Sequence, residues 1–138
     1  MIKVNSQVRL NMPQIERLKR AQVAALEMTA EVVHSEVVRA QVVPRMDGNL
    51  QGESFFVDTS QSKRGNVRLI HDTPYARRLY YHPEYDFHKG PWEDDKGRKH
   101  DGNPNAKAYW FEDWEEGGEH DEFAINAYKE IYRRLAGL

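Results

Sequence analysis

Between Pro13 and Pro44 the chain runs thirty residues without a glycine or a proline. Ile15, Leu18, Ala21, Ala25, Met28 and Val32 recur there at steps of three and four, and Leu26, Ala30, Val33, Val37 and Ala40 form a second row beside them. That spacing gathers both rows on one broad face of an α-helix. Asn11 offers a side-chain cap and Pro13 suits the first turn, where its missing N–H costs nothing. A helix is therefore expected over residues 13–42, about 45 Å long at 1.5 Å per residue. Such a helix outruns a small core, so it either bends around a sheet or carries one end toward a partner.

The rest of the chain reads as short elements. Residues 1–10 alternate Ile2, Val4, Val8 and Leu10 with Lys3, Asn5 and Arg9, the pattern of an edge strand. A turn follows Pro44. Residues 54–71 read as a β-hairpin whose polar connection, residues 59–66, carries Gly65 near its end. In the returning strand Val67 and Leu69 take one face, Arg68 and Ile70 the other. Thr73 and Pro74 open a short helix over 74–81, which Pro83 stops. On it Tyr75, Leu79 and His82 share one face, while Arg77, Arg78 and Tyr81 point elsewhere. Residues 88–107 mix three glycines, two prolines and many charges, with Trp92 as the strong apolar anchor, and read as a long polar loop. Loops of that length are uncommon unless they bind something. Helices are expected again across 105–136, interrupted at Gly117 and Gly118, the last bearing Phe123, Ala127, Ile131 and Leu135 on one stripe. The expected fold is a single α+β domain over residues 1–138: a long N-terminal helix packed on a small antiparallel sheet, with a short aromatic helix, a long polar loop and C-terminal helices.

Composition narrows the function. The net charge of -2 gives no overall field to draw nucleic acid or membrane. Its distribution is uneven: residues 1–50 and 51–81 each carry +2, residues 82–138 carry -6. Opposed ends suit head-to-tail self-association. The absence of cysteine excludes disulfides, a thiol nucleophile and a Cys-based zinc centre, and agrees with a reducing compartment. With no signal peptide and no apolar run near 18 residues, a soluble protein with no membrane partner is expected.

The stretch 72–87, D-T-P-Y-A-R-R-L-Y-Y-H-P-E-Y-D-F, is the densest in aromatic and arginine side chains: five of its sixteen residues are Tyr or Phe. Tyr and Arg are the types that anchor protein interfaces. The candidate interaction surface is Tyr75, Arg77, Arg78, Tyr80, Tyr81 and Tyr85, with Lys63 and Arg64 of the hairpin connection and Trp92 of the loop. Catalytic signals are weaker. His82, His88, His100 and His120 lie near Glu84, Asp86, Asp94, Asp95 and Asp101, but without ligand spacing on a defined element. Ser35 and Ser54 lack a nucleophile elbow, and no Gly-rich loop follows a strand. The expectation is a non-enzyme without catalytic residues, metal or cofactor. Two alternatives remain: a DNA-contacting module using Lys63, Arg64, Arg68, Arg77 and Arg78, and a His/carboxylate metal-dependent hydrolase.

Two segments carry a resemblance. P-R-M-D-G-N-L-Q-G-E-S, from Pro44, resembles the P-x-x-T-G-x-L-x-x-S hinge of small phage virion proteins, with Asp47 in place of the usual Thr. T-P-Y-A-R-R-L-Y-Y-H-P-E-Y-D-F, with N-P-N-A-K-A-Y-W-F-E further on, resembles the minor capsid family of tailed phages and prophages of Gram-positive bacteria, related to head–tail joining or tail-completion proteins. The likeness runs from the long helix to about Trp114, with extra residues here around 90–101. It implies a virion structural protein of the neck, made in the host cytoplasm and assembling as a ring between the portal or head-completion protein and the tail-tube protein, with only indirect DNA contact. Pro44, Gly48 and Leu50 of the hinge and the aromatic segment would be the parts carried over.

Overall fold

The amphipathic stretch forms α1, Met12–Arg39, 28 residues long, in a computed structural model that describes residues 2–43, 55–73, 76–85, 87, 89–93, 95–100 and 102–138. The Asn11 side chain accepts from the Gln14 N–H at 3.2 Å, satisfying one of the orphan donors of the first turn. The helix ends three residues before the expected position. Gln41 swings into the left-handed region at φ 56°, and its N–H bonds to the Val38 carbonyl instead of continuing the ladder.

Two different partners cover α1, which resolves its excess length. From its third turn to past its middle Ala21, Ala25 and Thr29 are buried, and these small residues let α3 (Phe123–Ala136) approach closely. The helices run antiparallel: Arg17 of α1 donates to the Ala136 carbonyl at 2.9 Å, while Tyr128 shares a hollow with Gln22, Val23 and Leu26. The end of α3 is closed twice over. Gly137 at φ 74° turns the chain so that Leu138 N–H reaches the Arg133 carbonyl at 2.8 Å, and Arg17 takes another of the last carbonyls.

The second half of α1 packs on a two-stranded antiparallel sheet. β1 (Phe55–Asp58) pairs with β2 (Arg68–His71) in the register Phe55 to His71 and Val57 to Leu69. Phe55 is buried and Phe56, on the other face, is exposed, as the period of two requires. A ring nitrogen of His34 lies 3.0 Å from the Phe55 carbonyl, and Ser62 donates to Glu27 at 2.6 Å, so α1 grips both strand and connection. The connection folds into a 3-10 turn, Ser62–Arg64, closed by Gly65 at φ 85°. Beside it the Ser60 N–H, and then Arg68, hold the Asp58 carboxyl down to about 2.

Three expectations are corrected. The leading strand does not form: residues 2–10 take no regular structure, and Ile2, Val4, Val8 and Leu10 are 68–91% exposed. Alternation makes a strand only where an edge accepts it. The helix expected from residue 105 is replaced by turns and a 3-10 turn, Glu112–Trp114, because Tyr109 sits in the left-handed region at φ 49°. The long loop carries a small hairpin, β3 (Trp92–Glu93) with β4 (Lys99–His100), and then lies against the end of α1. There Asn105 Nδ2, the Lys107 N–H and Asn103 Nδ2 donate to the carbonyls of Ala40, Val42 and Val43 at 2.7–3.0 Å. Carbonyls at and just past the end of α1 are thus satisfied by the segment that composition reads as a long polar loop.

The core gathers at this end: Val37, Val42, Val43, Phe55, Ala76 and Trp110, with Val33, Leu69, Leu79 and Tyr80 against it. A satellite of Phe87, Ala106 and Ala108 joins through Leu79. Among the described residues no helix is long and apolar enough to cross a membrane.

Candidate docking groove

α2 (Ala76–Tyr80) is one and a half turns, too short to be stable alone. Burial decides its orientation: Ala76 is inside, Leu79 and Tyr80 half inside, and Arg77, Arg78 and Tyr81 outside. Opposite it, the left-handed turn at Tyr109 sends that N–H to the Tyr80 carbonyl at 2.9 Å and drives Trp110 into the core. The two segments meet as a lattice of rings. Tyr80 stands edge-on to Trp110 at 4.8 Å, Tyr81 at 5.1 Å and Tyr109 at 5.5 Å, and Tyr81 edge-on to Tyr109 at 5.9 Å. Such pairs add about 0.5–1.5 kcal/mol each beyond the area they bury. Below, His71 stacks on Phe55 at 4.2 Å, and Trp110 Nε1 donates to His71 Nε2 at 3.0 Å. An indole can only donate, so His71 accepts at Nε2 and is the neutral imidazole protonated on Nδ1.

A shallow groove of about 430 Å³ opens over this lattice. Its floor is Tyr80, Trp110 and Phe111, and Arg77 and Glu115 stand at its margins beside the exposed Tyr81. Glu115 begins a strongly acidic bank. Residues 112–122 hold seven carboxylates and no lysine or arginine. The bank is held as a bend by Gly118 N–H to the Glu115 carbonyl at 2.9 Å, and Asp113 is tied to Lys107 at 2.7 Å.

Burial first, and then the charge of Glu115, push the Tyr80 phenol up to about 12; a hydrogen bond with the Phe111 backbone acts the other way. A tyrosine whose folded pKa exceeds its unfolded value of about 10 lends stability that is fully present below pH 10 and is lost as pH rises through 12. Ultraviolet titration of the seven tyrosines should show a late-ionising phenol that is absent from Tyr80→Phe and moves down in Glu115→Gln. A Tyr80→Phe protein with an unaltered titration curve would contradict this placement.

The structure brings Arg77, Tyr80 and Tyr81 of the expected surface together. Arg78 shares the adjoining hollow with Arg77, Tyr81 and His82. Tyr85 stacks on His82 at 4.7 Å and lines a separate hollow near Phe87. Lys63 lies beside Lys19 and Arg20 on α1, in a different hollow from Arg77 and Arg78, so the basic residues do not form one patch. Trp92 is half-buried in the small hairpin. Tyr75 and the hinge residues Pro44, Gly48 and Leu50 lie outside the described residues. Sequence reasoning missed His71, Tyr109, Trp110, Phe111 and Glu115. The available signal was the run of three consecutive aromatics at 109–111, which the helical reading absorbed. Among the described residues no three His, Asp or Glu side chains gather closely enough to hold a metal ion. Rings flanked by a guanidinium and carboxylates form a surface suited to binding a polypeptide segment.

The fold class is α+β: a long helix on a two-stranded antiparallel sheet, with a C-terminal helix. Comparison with protein-family models, with curated proteins and with solved structures finds no match.

Proposed function

We propose that this chain is a non-enzymatic structural protein of a tailed-phage neck, assembling as a ring of identical subunits that joins the portal side of the head to the tail. The observation that carries the reading is the groove at Arg77, Tyr80 and Tyr81, because it falls on the segment whose sequence resembles the minor capsid and head–tail joining proteins. Aromatic residues and arginine are the anchors of protein interfaces, and this groove presents both with little polar cost. The uneven charge along the chain supports a head-to-tail contact, which closes into a ring when the rotation fits.

The test is made in the phage. Arg77 and Tyr81 are exposed, so Arg77→Ala with Tyr81→Ala leaves the core in place. Loss of two anchors, each contributing about 2 kcal/mol, should cut the yield of tailed particles at least about tenfold, with unjoined heads and tails accumulating. Normal numbers of tailed particles from the double variant would overturn the reading.

A second reading has one observation in its favour. Lys63, at the hairpin connection, shares a hollow with Lys19 and Arg20 of α1 and with Glu27, three cations to one carboxylate, which supports a DNA-contacting module. Duplex binding that weakens steeply with salt, and that Lys19→Glu abolishes, would favour it.

A further inference from the structure

Among the described residues, 2–10 form an extended stretch that the fold leaves unused. Ile2, Val4, Val8 and Leu10 share one side of an extended chain, Lys3, Asn5, Gln7 and Arg9 the other. The four apolar side chains are 68–91% exposed. A soluble chain does not ordinarily leave such a strand-patterned row in water.

We propose that the leading segment of one copy docks in the aromatic groove of a second copy, as an extended tether. This rests on the ring reading above and names the partner that fills its groove.

Chemistry matches the two surfaces. The apolar side of the segment suits the floor of Tyr80, Trp110 and Phe111 and the exposed ring of Tyr81 beside it. Lys3 and Arg9 are long enough to reach the acidic bank at Glu115 and Glu116, which carries no cation of its own.

Geometry makes the contact intermolecular. The groove lies over the core around Val37 and Trp110, whereas the segment leaves α1 at Asn11. Twenty-six helical residues separate Asn11 from Val37, about 39 Å at 1.5 Å per residue. Nine residues fully extended reach about 30 Å. A chain therefore cannot fill its own groove, and donor and acceptor lie toward opposite ends of α1. That is a heterologous contact, the kind from which rings are built. Ordering a free segment offsets part of each contact, so a single joint is weak and closure strengthens the set.

The chain contains no cysteine, so the joint can be trapped cleanly. Full-length Val4→Cys is mixed with full-length Tyr81→Cys under mild oxidation, with Met28→Cys, exposed on α1, replacing Val4→Cys as the control. The Val4 pair should cross-link into heterodimers at least about tenfold faster than the control pair, and Lys3→Glu with Arg9→Glu should remove most of that advantage. Cross-linking at the control rate overturns the proposal. If it fails while Arg77→Ala with Tyr81→Ala still blocks head–tail joining, another neck protein fills the groove: the tether falls and the neck reading stands. If the cross-link forms but tailed particles assemble normally in the double variant, the tether stands and the neck reading falls.

Discussion

Trp110→Ala lowers the unfolding free energy by about 3–5 kcal/mol, a large share of the roughly 5–15 kcal/mol that holds a domain together. Trp110 is 1% exposed and packs with Val37, Val43 and Phe55 where α1, the sheet and the 103–111 segment converge. Its removal leaves a cavity, because the His34 bond to Phe55 and the β1–β2 pairing fix the positions of α1 and β1 around it. It also strips His71 Nε2 of its donor and Tyr80 of one of its edge-on partners. Urea unfolding followed by circular dichroism measures the loss. Trp110→Phe separates the terms: most of the ring area stays and the hydrogen bond goes, so about 1–3 kcal/mol is expected. A loss below about 1 kcal/mol for the alanine variant would show that the core does not depend on this residue.

Gly118→Ala breaks the acidic bend. A Cβ at this position would meet the Glu112 carbonyl oxygen and come within 2.6 Å of the Asp113 carbonyl oxygen and 2.7 Å of its carbon. These are backbone atoms and cannot rotate aside as a side chain would. The bend must open, at the expense of the bonds from Gly118 N–H to Glu115 and from His120 N–H to Asp113, at a cost of about 2–3 kcal/mol. The neighbouring glycine provides the contrast. At Gly117 the chain has φ +84° with open space around it, so Gly117→Ala pays backbone strain alone, about 1 kcal/mol. Thermal unfolding of the two variants ranks them, and hydrogen exchange at the His120 amide reports whether the bend itself has opened. Equal costs at the two glycines would mean that the close approach at Gly118 is relieved without breaking the bend. Because Glu115 forms one margin of the groove, Gly118→Ala should also weaken segment docking where Gly117→Ala does not.

Both effects arise in the part of the chain that was hardest to read. Residues 103–120 look like a loop running into an amphipathic helix. What defeats the helix is local: a left-handed residue at Tyr109, stabilised by its N–H reaching Tyr80 on α2 and by the burial of Trp110 against α1. A tertiary bond of this kind leaves no periodic trace. The strand pattern of residues 2–10 misled in the opposite sense. The alternation is present, but residues 2–10 pair with no strand among the described residues, and the pattern alone does not make a strand. The basic residues Lys63, Arg64, Arg77 and Arg78 share a type but not a place: the fold separates Lys63 from the two arginines because the hairpin connection and α2 sit against different parts of α1 and the core.

The sequence by itself determined the elements whose bonds close within a few residues. The rows from Ile15 to Ala40, with Asn11 and Pro13 ahead of them, specify α1. Alternation around a Gly65 turn specifies the hairpin and its inward face. Thr73, Pro74 and Pro83 bracket α2, and the Phe123, Ala127 and Ile131 stripe specifies α3. The split of α2 into a Leu79 side and an Arg77, Arg78 and Tyr81 side was also legible in its spacing; the tertiary structure alone decided which residues would meet it. His71, Arg77, Trp110 and Glu115 come from separate segments and line one groove only in the folded chain, where the 103–107 segment donates to the carbonyls of Ala40, Val42 and Val43 at and just past the end of α1. Periodicity records how a segment bonds to itself; the groove depends on where one segment's unsatisfied groups find their partners in another.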